Sequence, residues 1–313
     1  MKIAAAQIRP YWLDKRKTTD LILSTIELAA GQGIKLVAFP EAFLSGYPFW
    51  ICRTNGAAFG DLIQQRAYSQ FLEAAVEIPS IEISRITEAC RDHGVSIYLG
   101  TNERGSAAGK GTIYCSLLAI SADNGLVGVH RKLIPTYDER LCWAYGDAHG
   151  LRVHDMGGIA VGGLNCWENW MPLARFSLYS GGEDLHISTW PGNAIVSDAV
   201  VKTIALEGRV WSLSVSGLLS IDDIPNDFVF KNELVAQGLT TIFNGGSSLV
   251  DPSGKVVIDP VIGEEGLIVH DIDLNLVREQ RQNFDPTGHY HRPDIFRIDV
   301  NFSRHEVLTS IGE

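Results

Sequence analysis

Short apolar runs alternate along the chain with longer segments whose apolar residues recur at helical spacing. The first run, "KIAAAQI", predicts a strand, and the next segment, "TTDLILSTIELAAGQG", predicts a helix that ends at Gly31 and Gly33. Further helices are predicted for "SIEISRITEACRDHG", "MPLARFSLYSGG" and "SDAVVKTIALEGRV", the last beginning at Ser197 or Asp198. Further strands are predicted for "IKLVAFPE", "VSIYLGTN", "TIYCSLLAIS", "GLVGVHRK", "DLHISTWP", "WSLSVSGLLS" and "EGLIVHDIDL".

Alternating strands and helices with buried strands predict a layered α/β architecture. The periodicity alone is compatible with an open parallel sheet or with a sandwich of two sheets with helices outside. We interpret residues 1–273 as the folded domain. The segment "REQRQNFDPTGHYHRPDIFRIDV" is polar, aromatic and irregular, so we expect residues 274–313 to form a C-terminal tail that packs over the domain or a partner subunit.

Composition and charge exclude several classes of function. The formal net charge of -11 argues against sequence-independent binding of nucleic acid, which needs a basic surface. The sequence contains no apolar run of ~18 residues, so we expect no membrane span. The N-terminus lacks the apolar stretch of a secretory signal, and the five scattered cysteines form no C-x-x-C pair. We therefore expect a cytoplasmic protein with reduced thiols.

Cys166 directly follows the apolar run Ile159–Leu164 and Asn165 in "GGIAVGGLNCWENW". A thiol at the end of a strand and before a predicted helix is close to backbone N–H groups and to the positive end of the helix dipole. These surroundings predict a lowered thiol pKa and a nucleophilic cysteine. The alternative is that Cys166 is a small buried hydrophobic residue, which is our interpretation of the other four cysteines.

Two other apolar strands also end in a chemically active side chain. Glu41 follows "KLVAFP", and Lys132 follows "GLVGVHR". Each could be an ordinary solvated residue. However, strand ends in layered α/β folds converge on a common pocket, so a carboxylate, an amine and a thiol could meet there.

Three motifs resemble signatures of the nitrilase superfamily: "FPEAFLSGYP", "HRKLIPTYDER" and "GGLNCWENWMPLARF". The tryptophan after the cysteine and the later "GHYHRPDIF" are similar to the nitrilase family proper rather than to its amidase relatives. The resemblance extends from Met1 to about Phe296. One departure is "WAYGDAHG" at residues 143–150, where family members often have Trp-x-x-Gly-Asp-Gly.

The resemblance implies a catalytic triad of Glu41, Lys132 and Cys166, with Glu139 as a second glutamate. It also implies a four-layer αββα sandwich of the carbon-nitrogen hydrolase type. Members of the family pair as homodimers, which can extend into larger spiral homo-oligomers, and we expect one of these assemblies here.

The implied reaction is hydrolysis of a small-molecule nitrile to a carboxylic acid and ammonia. Glu41 would act as general base, and Lys132 and the backbone N–H of Trp167 would receive the negative charge that develops on addition. This chemistry requires no cofactor and no metal. Tyr47, Trp167 and Trp190 are candidates for the substrate pocket, or alternatively large core residues.

Glu168 is also in the cysteine motif. We favour a structural role for it, in which its carboxylate accepts N–H groups at the turn.

Two further interpretations remain open from the sequence. The same triad could hydrolyse amides or cyanide. In another class, the chain could be a catalytically silent assembly protein, although the retained Glu41, Lys132 and Cys166 argue against this.

Overall fold

The fold consists of two β-sheets packed face to face, with helices on both outer surfaces. The computed structural model describes residues 1–106, 109–192 and 194–305, with the side chains of 194–197 excepted. The strands are β1 (Lys2–Gln7), β2 (Leu36–Ala38), β3 (Ser96–Arg104), β4 (Ile113–Ser121), β5 (Gly125–Arg131), β6 (His154–Asp155), β7 (Ala160–Asn165), β8 (Leu185–Trp190), β9 (Trp211–Ser216), β10 (Leu218–Ser220), β11 (Thr241–Val250), β12 (Val256–Ile262) and β13 (Gly266–Asp271). The α-helices are α1 (Lys15–Gly31), α2 (Leu62–Ala74), α3 (Ile81–His93), α4 (Pro172–Ser180), α5 (Ala194–Gly208), α6 (Lys231–Ala236) and α7 (Leu274–Asn283).

Each sheet contains a parallel centre with antiparallel strands beside it. The first sheet has the order β13-β1-β2-β3-β4-β5, in which β1, β2 and β3 are parallel. The second has the order β10-β11-β9-β8-β7-β6, with β12 paired to β11, and β7, β8 and β9 are parallel. The carboxyl ends of β2, β5 and β7 carry the three side chains that the sequence analysis singled out.

The core lies in three layers of apolar contacts between these elements. Alternate residues of the central strands meet between the sheets, including Ile3, Leu36, Leu117, Val161, Ile187 and Leu213. Helices α1 and α3 cover the outer face of the first sheet, and α4 and α5 cover the second. The predicted αββα sandwich is therefore confirmed, and the open-sheet alternative is wrong.

Most predicted elements are present with the turn chemistry that the sequence indicates. Gly94, with φ +63°, ends α3 in the left-handed conformation that lacks a steric penalty for glycine. The "ADNG" and "DPSG" segments connect the antiparallel pairs β4–β5 and β11–β12. Helix α4 begins at Pro172, where its missing N–H costs no hydrogen bond.

Two expectations need correction, and one helix was not predicted. The segment after β13 is not irregular from its start, because α7 forms over Leu274–Asn283, is capped by Asp273 and buries Val277 between the sheets. Helix α5 begins at Ala194, before the predicted Ser197 or Asp198.

Helix α2 was not predicted, although Asp61 caps it and Ala67, Phe71 and Ala74 form its buried face at helical spacing.

The segment after α7 contacts the chain's own loops over residues 147–149. Arg304 forms an ion pair with Asp147 at 3.1 Å, and the backbone N–H of His305 donates to the same carboxylate. The Phe302 carbonyl lies 3.2 Å from the His149 ring. This loop belongs to the segment "WAYGDAHG", which differs from the usual family pattern. The residues that differ are therefore in a loop that contacts the C-terminal segment.

The length and hydropathy of the helices test the expectation of no membrane span. No helix among the described residues is both long enough and apolar enough to cross a bilayer.

Gly100 on β3 lies close to the backbone of Pro40 and Glu41. A Cβ at Gly100 would lie 2.1 Å from the Pro40 carbonyl oxygen and 2.7 Å from the Glu41 Cα. We expect Gly100→Ala to lower the free energy of unfolding by roughly 1–3 kcal/mol, because rigid backbone must move. Urea unfolding checks this. In Gly31→Ala the new Cβ meets nothing within 4 Å, so this control should be neutral or slightly stabilising.

Candidate active site

The ends of β2, β5 and β7 bring their three polar side chains into one buried cluster. The Lys132 ammonium donates hydrogen bonds to Glu41 Oε1 at 2.8 Å and to Glu139 Oε2 at 2.7 Å. A carboxylate oxygen of Glu41, one of Glu139 and the Cys166 sulfur all lie within 4.8 Å of one another. These residues are buried, so their charges interact with little screening by solvent.

Glu41 occupies a tight turn directly after β2 and Pro40. The following residue, Ala42, has φ +52°, a conformation that is strained for a residue with a side chain. The Cys115 thiol and Lys132 both point to Glu41 Oε1. Burial raises the pKa of Glu41 to about 7, and the charge of Glu139 adds to this although Lys132 opposes it. Such a carboxyl group exchanges protons near neutral pH, as a general base must.

Lys132 is fully buried at the end of β5. Its backbone N–H donates to the Cys115 carbonyl at 2.7 Å, and its ammonium lies 5.3 Å from the centre of the Trp143 ring. Burial alone would lower the pKa of Lys132, but the Glu41 and Glu139 carboxylates together raise it well above its usual value. Lys132 is therefore a fixed positive charge at neutral pH.

Glu139 lies in a short 3₁₀ helix over Tyr137–Leu141. Its carboxylate accepts the backbone N–H of Thr136 in a capping box and also accepts the Lys132 ammonium. The Tyr47 hydroxyl donates to its other oxygen at 2.7 Å. These contacts orient Glu139 toward Lys132, and the tyrosine contact is one that the sequence analysis did not predict.

Cys166 begins a 3₁₀ helix, Cys166–Trp170, and has φ +51°. A residue with a side chain adopts this left-handed conformation at a cost of order 1–3 kcal/mol, and such strain is concentrated at functional sites. The predicted α-helix starts only at Pro172, beyond this turn.

The expectation of a lowered thiol pKa for Cys166 is wrong. Burial raises its pKa well above the usual value, and the nearby charges of Glu41 and Glu139 act in the same direction. Lys132 and the backbone N–H of Trp167 lower it, but they do not outweigh burial. The resting cysteine is therefore a thiol, and a base must remove its proton before it can attack.

A cavity of about 330 Å³ opens onto Cys166 and Glu139. Tyr47, Trp167 and Trp190 all line it, although Trp190 is otherwise buried while about half of Trp167 is exposed. The other lining residues are Phe49, Cys52, Arg53, Thr136, Asp138, Pro191, Gly192, Ile242 and Phe243. Nothing in the periodicity indicates these residues, because they come from distant parts of the chain.

Glu168 has the structural role that we expected for it. Its carboxylate accepts the backbone N–H groups of Asn165 and Leu133 and lies 3.0 Å from the His130 ring nitrogen. These contacts lower the pKa of Glu168 in spite of its burial. Glu168 therefore joins the end of β7, which carries Cys166, to the end of β5, which carries Lys132.

The donor atoms of Glu41, Glu139 and Cys166 are close enough to share a metal ion. However, the Lys132 ammonium already lies within hydrogen-bonding distance of both carboxylates and supplies the opposing charge. A divalent cation between the carboxylates would have to displace this ammonium. The arrangement fits acid–base and nucleophilic chemistry, with Glu41 as base and Cys166 as nucleophile.

Comparisons with known proteins agree with this architecture. The family model for carbon-nitrogen hydrolases matches residues 2–282. A nitrilase of Bradyrhizobium diazoefficiens is 36% identical over 282 residues, covering 88% of this chain and 84% of that protein. An aliphatic nitrilase of Rhodococcus rhodochrous is 32% identical over 316 residues, covering 96% of this chain and 82% of that protein.

Solved structures show the same fold at lower identity. An amidase from Nesterenkonia sp. superimposes with a TM-score of 0.62 at 21% sequence identity, covering 90% of this chain and 94% of the amidase. The family model and the two nitrilases each cover most of the chain. The chain therefore belongs to the nitrilase family of carbon-nitrogen hydrolases, enzymes that hydrolyse carbon–nitrogen bonds.

Proposed function

We propose that this protein hydrolyses an organic nitrile to the carboxylic acid and ammonia through covalent intermediates on Cys166. The observation that carries the proposal is the grouping of Glu41, Glu139 and Cys166 within 4.8 Å, with Lys132 between the two carboxylates. Glu139 and Cys166 of this group line a cavity large enough for a small organic molecule. Identity to nitrilases over most of the chain supports a nitrile as the substrate.

The first step is addition of sulfur to the nitrile carbon. Glu41 takes the proton from Cys166, the sulfur bonds to carbon, and the proton passes to the nitrile nitrogen, which gives a thioimidate. The raised pKa of Glu41 suits both halves of this transfer, since a group near 7 can accept and return a proton at neutral pH. Negative charge on nitrogen faces the Lys132 ammonium and the Trp167 N–H.

Hydrolysis then uses two water molecules. The first adds to the thioimidate carbon, the nitrogen leaves as ammonia, and a thioester remains. The second adds to the thioester, and the carboxylic acid leaves as the Cys166 thiol is restored. Glu41 is the base for each water, and Glu139 keeps Lys132 in position while charge develops.

The cavity lining indicates how the organic group of the nitrile would be held. Phe49, Trp190, Ile242 and Phe243 provide apolar surface beside Cys166. Tyr47 packs edge-on against Phe243, with ring centres 5.5 Å apart, which fixes this wall.

Replacement of the nucleophile tests the proposal. We expect the wild type to release ammonia from members of a panel of aliphatic and aromatic nitriles, and Cys166→Ala to lose at least about 10⁴-fold in kcat. Cys90→Ala is the control, because Cys90 is buried between α3 and the first sheet, outside the cavity. Release from matching amides but not from nitriles would contradict the proposal and favour an amidase. No release from either panel would favour the silent assembly protein.

The raised pKa of Glu41 predicts the pH dependence. The base must be ionised, so protonation below pH 7 removes the active form. We expect kcat/KM to fall about tenfold per pH unit below an apparent pKa of about 7, a value that belongs to the coupled cluster. Measurement of kcat/KM between pH 5 and 9 checks this, with circular dichroism at each pH as the control for folding. A limb near 4.5 would show that the pKa of the base is not raised, and the absence of any acid limb would contradict a carboxylate of this cluster as the base.

A further inference from the structure

A chain of buried polar side chains runs behind the cysteine turn, away from the substrate cavity. Its members are Glu183, His186, Ser188 and Asn169, all of which are fully buried. None of them lines the cavity or contacts the Glu41–Lys132–Glu139 cluster in the described part of the chain. Buried polar groups are costly unless they are paired, so a complete network at this position calls for a reason.

Asn169 connects this network to the nucleophile. Its side-chain nitrogen donates to the Cys166 carbonyl at 2.9 Å and to the Leu164 carbonyl at 3.1 Å. The C=O and N–H groups of a trans peptide point in opposite directions. By holding the Cys166 carbonyl on one side, Asn169 directs the Trp167 N–H to the other side of the peptide plane. This N–H lowers the pKa of the Cys166 thiol.

The orientation of the Asn169 amide is itself fixed by two donors. Ser188 Oγ lies 2.8 Å and His186 Nε2 lies 2.9 Å from Asn169 Oδ1. Because Asn169 Oδ1 is an acceptor, His186 Nε2 must carry a hydrogen. A flipped amide would turn its N–H groups toward these two donors and its oxygen toward two carbonyls.

Glu183 completes the chain at the other side of the imidazole. Its carboxylate oxygens lie 3.0 and 3.2 Å from His186 Nδ1, so that one proton is shared between them. Gly162 on β7 pairs with His186 in the register and leaves room for this carboxylate, since a Cβ there would lie 1.9 Å from Glu183 Oε2. The neighbouring strand is thus shaped to admit Glu183.

We propose that Glu183, His186 and Asn169 form a positioning relay that fixes the Cys166–Trp167 peptide, and through it the backbone donor facing the reacting sulfur and nitrogen. Glu183 fixes the orientation of the His186 ring, His186 fixes the amide of Asn169, and Asn169 fixes the plane of the peptide. The strained φ of Cys166 makes such a hold necessary, because the unrestrained turn would relax. The catalytic part of this inference rests on the proposed function.

Two variants of equal length separate hydrogen bonding from packing. His186→Gln can place an amide nitrogen near the position of Nε2, whereas His186→Met fills the same space without a donor. We expect His186→Met to lower kcat by about 10- to 100-fold with KM changed less than about threefold, the signature of a lost transition-state interaction. His186→Gln should remain within about fivefold of wild type.

A second readout does not depend on nitrile turnover. The rate at which iodoacetamide alkylates Cys166, followed by mass spectrometry of its peptide, reports the ionisation of the thiol. We expect His186→Met to shift this pH profile upward because the Trp167 N–H no longer supports the thiolate, and His186→Gln to leave it in place. If wild type turns over no nitrile, the proposed function fails while the alkylation profile still tests the relay.

Equal losses of kcat in His186→Met and His186→Gln would overturn the relay. A raised KM in His186→Met with an unchanged alkylation profile would also overturn it. If His186→Met does not fold, Ser188→Ala takes its place, since it removes one of the two donors to Asn169 with little change in volume. We expect Ser188→Ala to lower kcat a few-fold at constant KM and to shift the profile in the same direction. Unchanged kcat and an unchanged profile in Ser188→Ala would overturn the relay as well.

Discussion

The Lys132 ammonium lies between two buried carboxylates, 2.8 Å from Glu41 and 2.7 Å from Glu139. One positive charge shared by two negative ones leaves the cluster with an excess of negative charge. Burial raises the pKa of Glu41 to about 7, with a smaller contribution from Glu139 and against the opposing charge of Lys132. Burial and the charges of Glu41 and Glu139 raise the pKa of Cys166 and hold it as a thiol. Removing Lys132 would leave two buried carboxylates without their opposing charge, a change that typically costs about 3–5 kcal/mol.

This arrangement determines the protonation state of the Cys166 thiol. At neutral pH a thiol with a raised pKa stays protonated, so in the proposed mechanism the nucleophile forms only when Glu41 takes the proton of Cys166. The backbone around the cluster is strained at Ala42, Tyr137 and Cys166, each with positive φ. The turn at Tyr137 persists because the Glu139 carboxylate accepts the Thr136 N–H. The turn at Cys166 persists because the Glu168 carboxylate accepts the Asn165 N–H and the Asn169 amide donates to the Cys166 carbonyl. The surrounding fold thus stabilises the strained backbone of the site.

The sequence predicts the positions of the chemical groups better than their energies. Glu41, Lys132 and Cys166 each follow an apolar strand, and the parallel strand ends bring them together. Glu139 was available only from the family resemblance, because nothing in the periodicity marks it. The thiol pKa of Cys166 was predicted in the wrong direction, since burial and the facing carboxylates depend on contacts between distant segments.

In the fold, too, local features were predicted better than those that depend on contacts between distant segments. Local patterns predicted α1, α3, α4 and most of the strands, and the resemblance supplied the choice of a sandwich over an open sheet. Helix α7 was not predicted because its few apolar residues are buried only in the layer between the two sheets, as Val277 is. The cavity wall from Phe49 to Phe243 joins segments far apart in the chain, which no local pattern reveals.

In the proposed mechanism, Cys166 carries the substrate carbon during turnover. The most direct test is acid quenching of the enzyme during hydrolysis of a nitrile, followed by mass spectrometry of the peptide that contains Cys166. The account predicts a fraction of this peptide enlarged by the acyl or imidoyl group of that nitrile, and none in Cys166→Ala. Continued ammonia release with the Cys166 peptide unmodified, under conditions that preserve a thioester, would contradict the account.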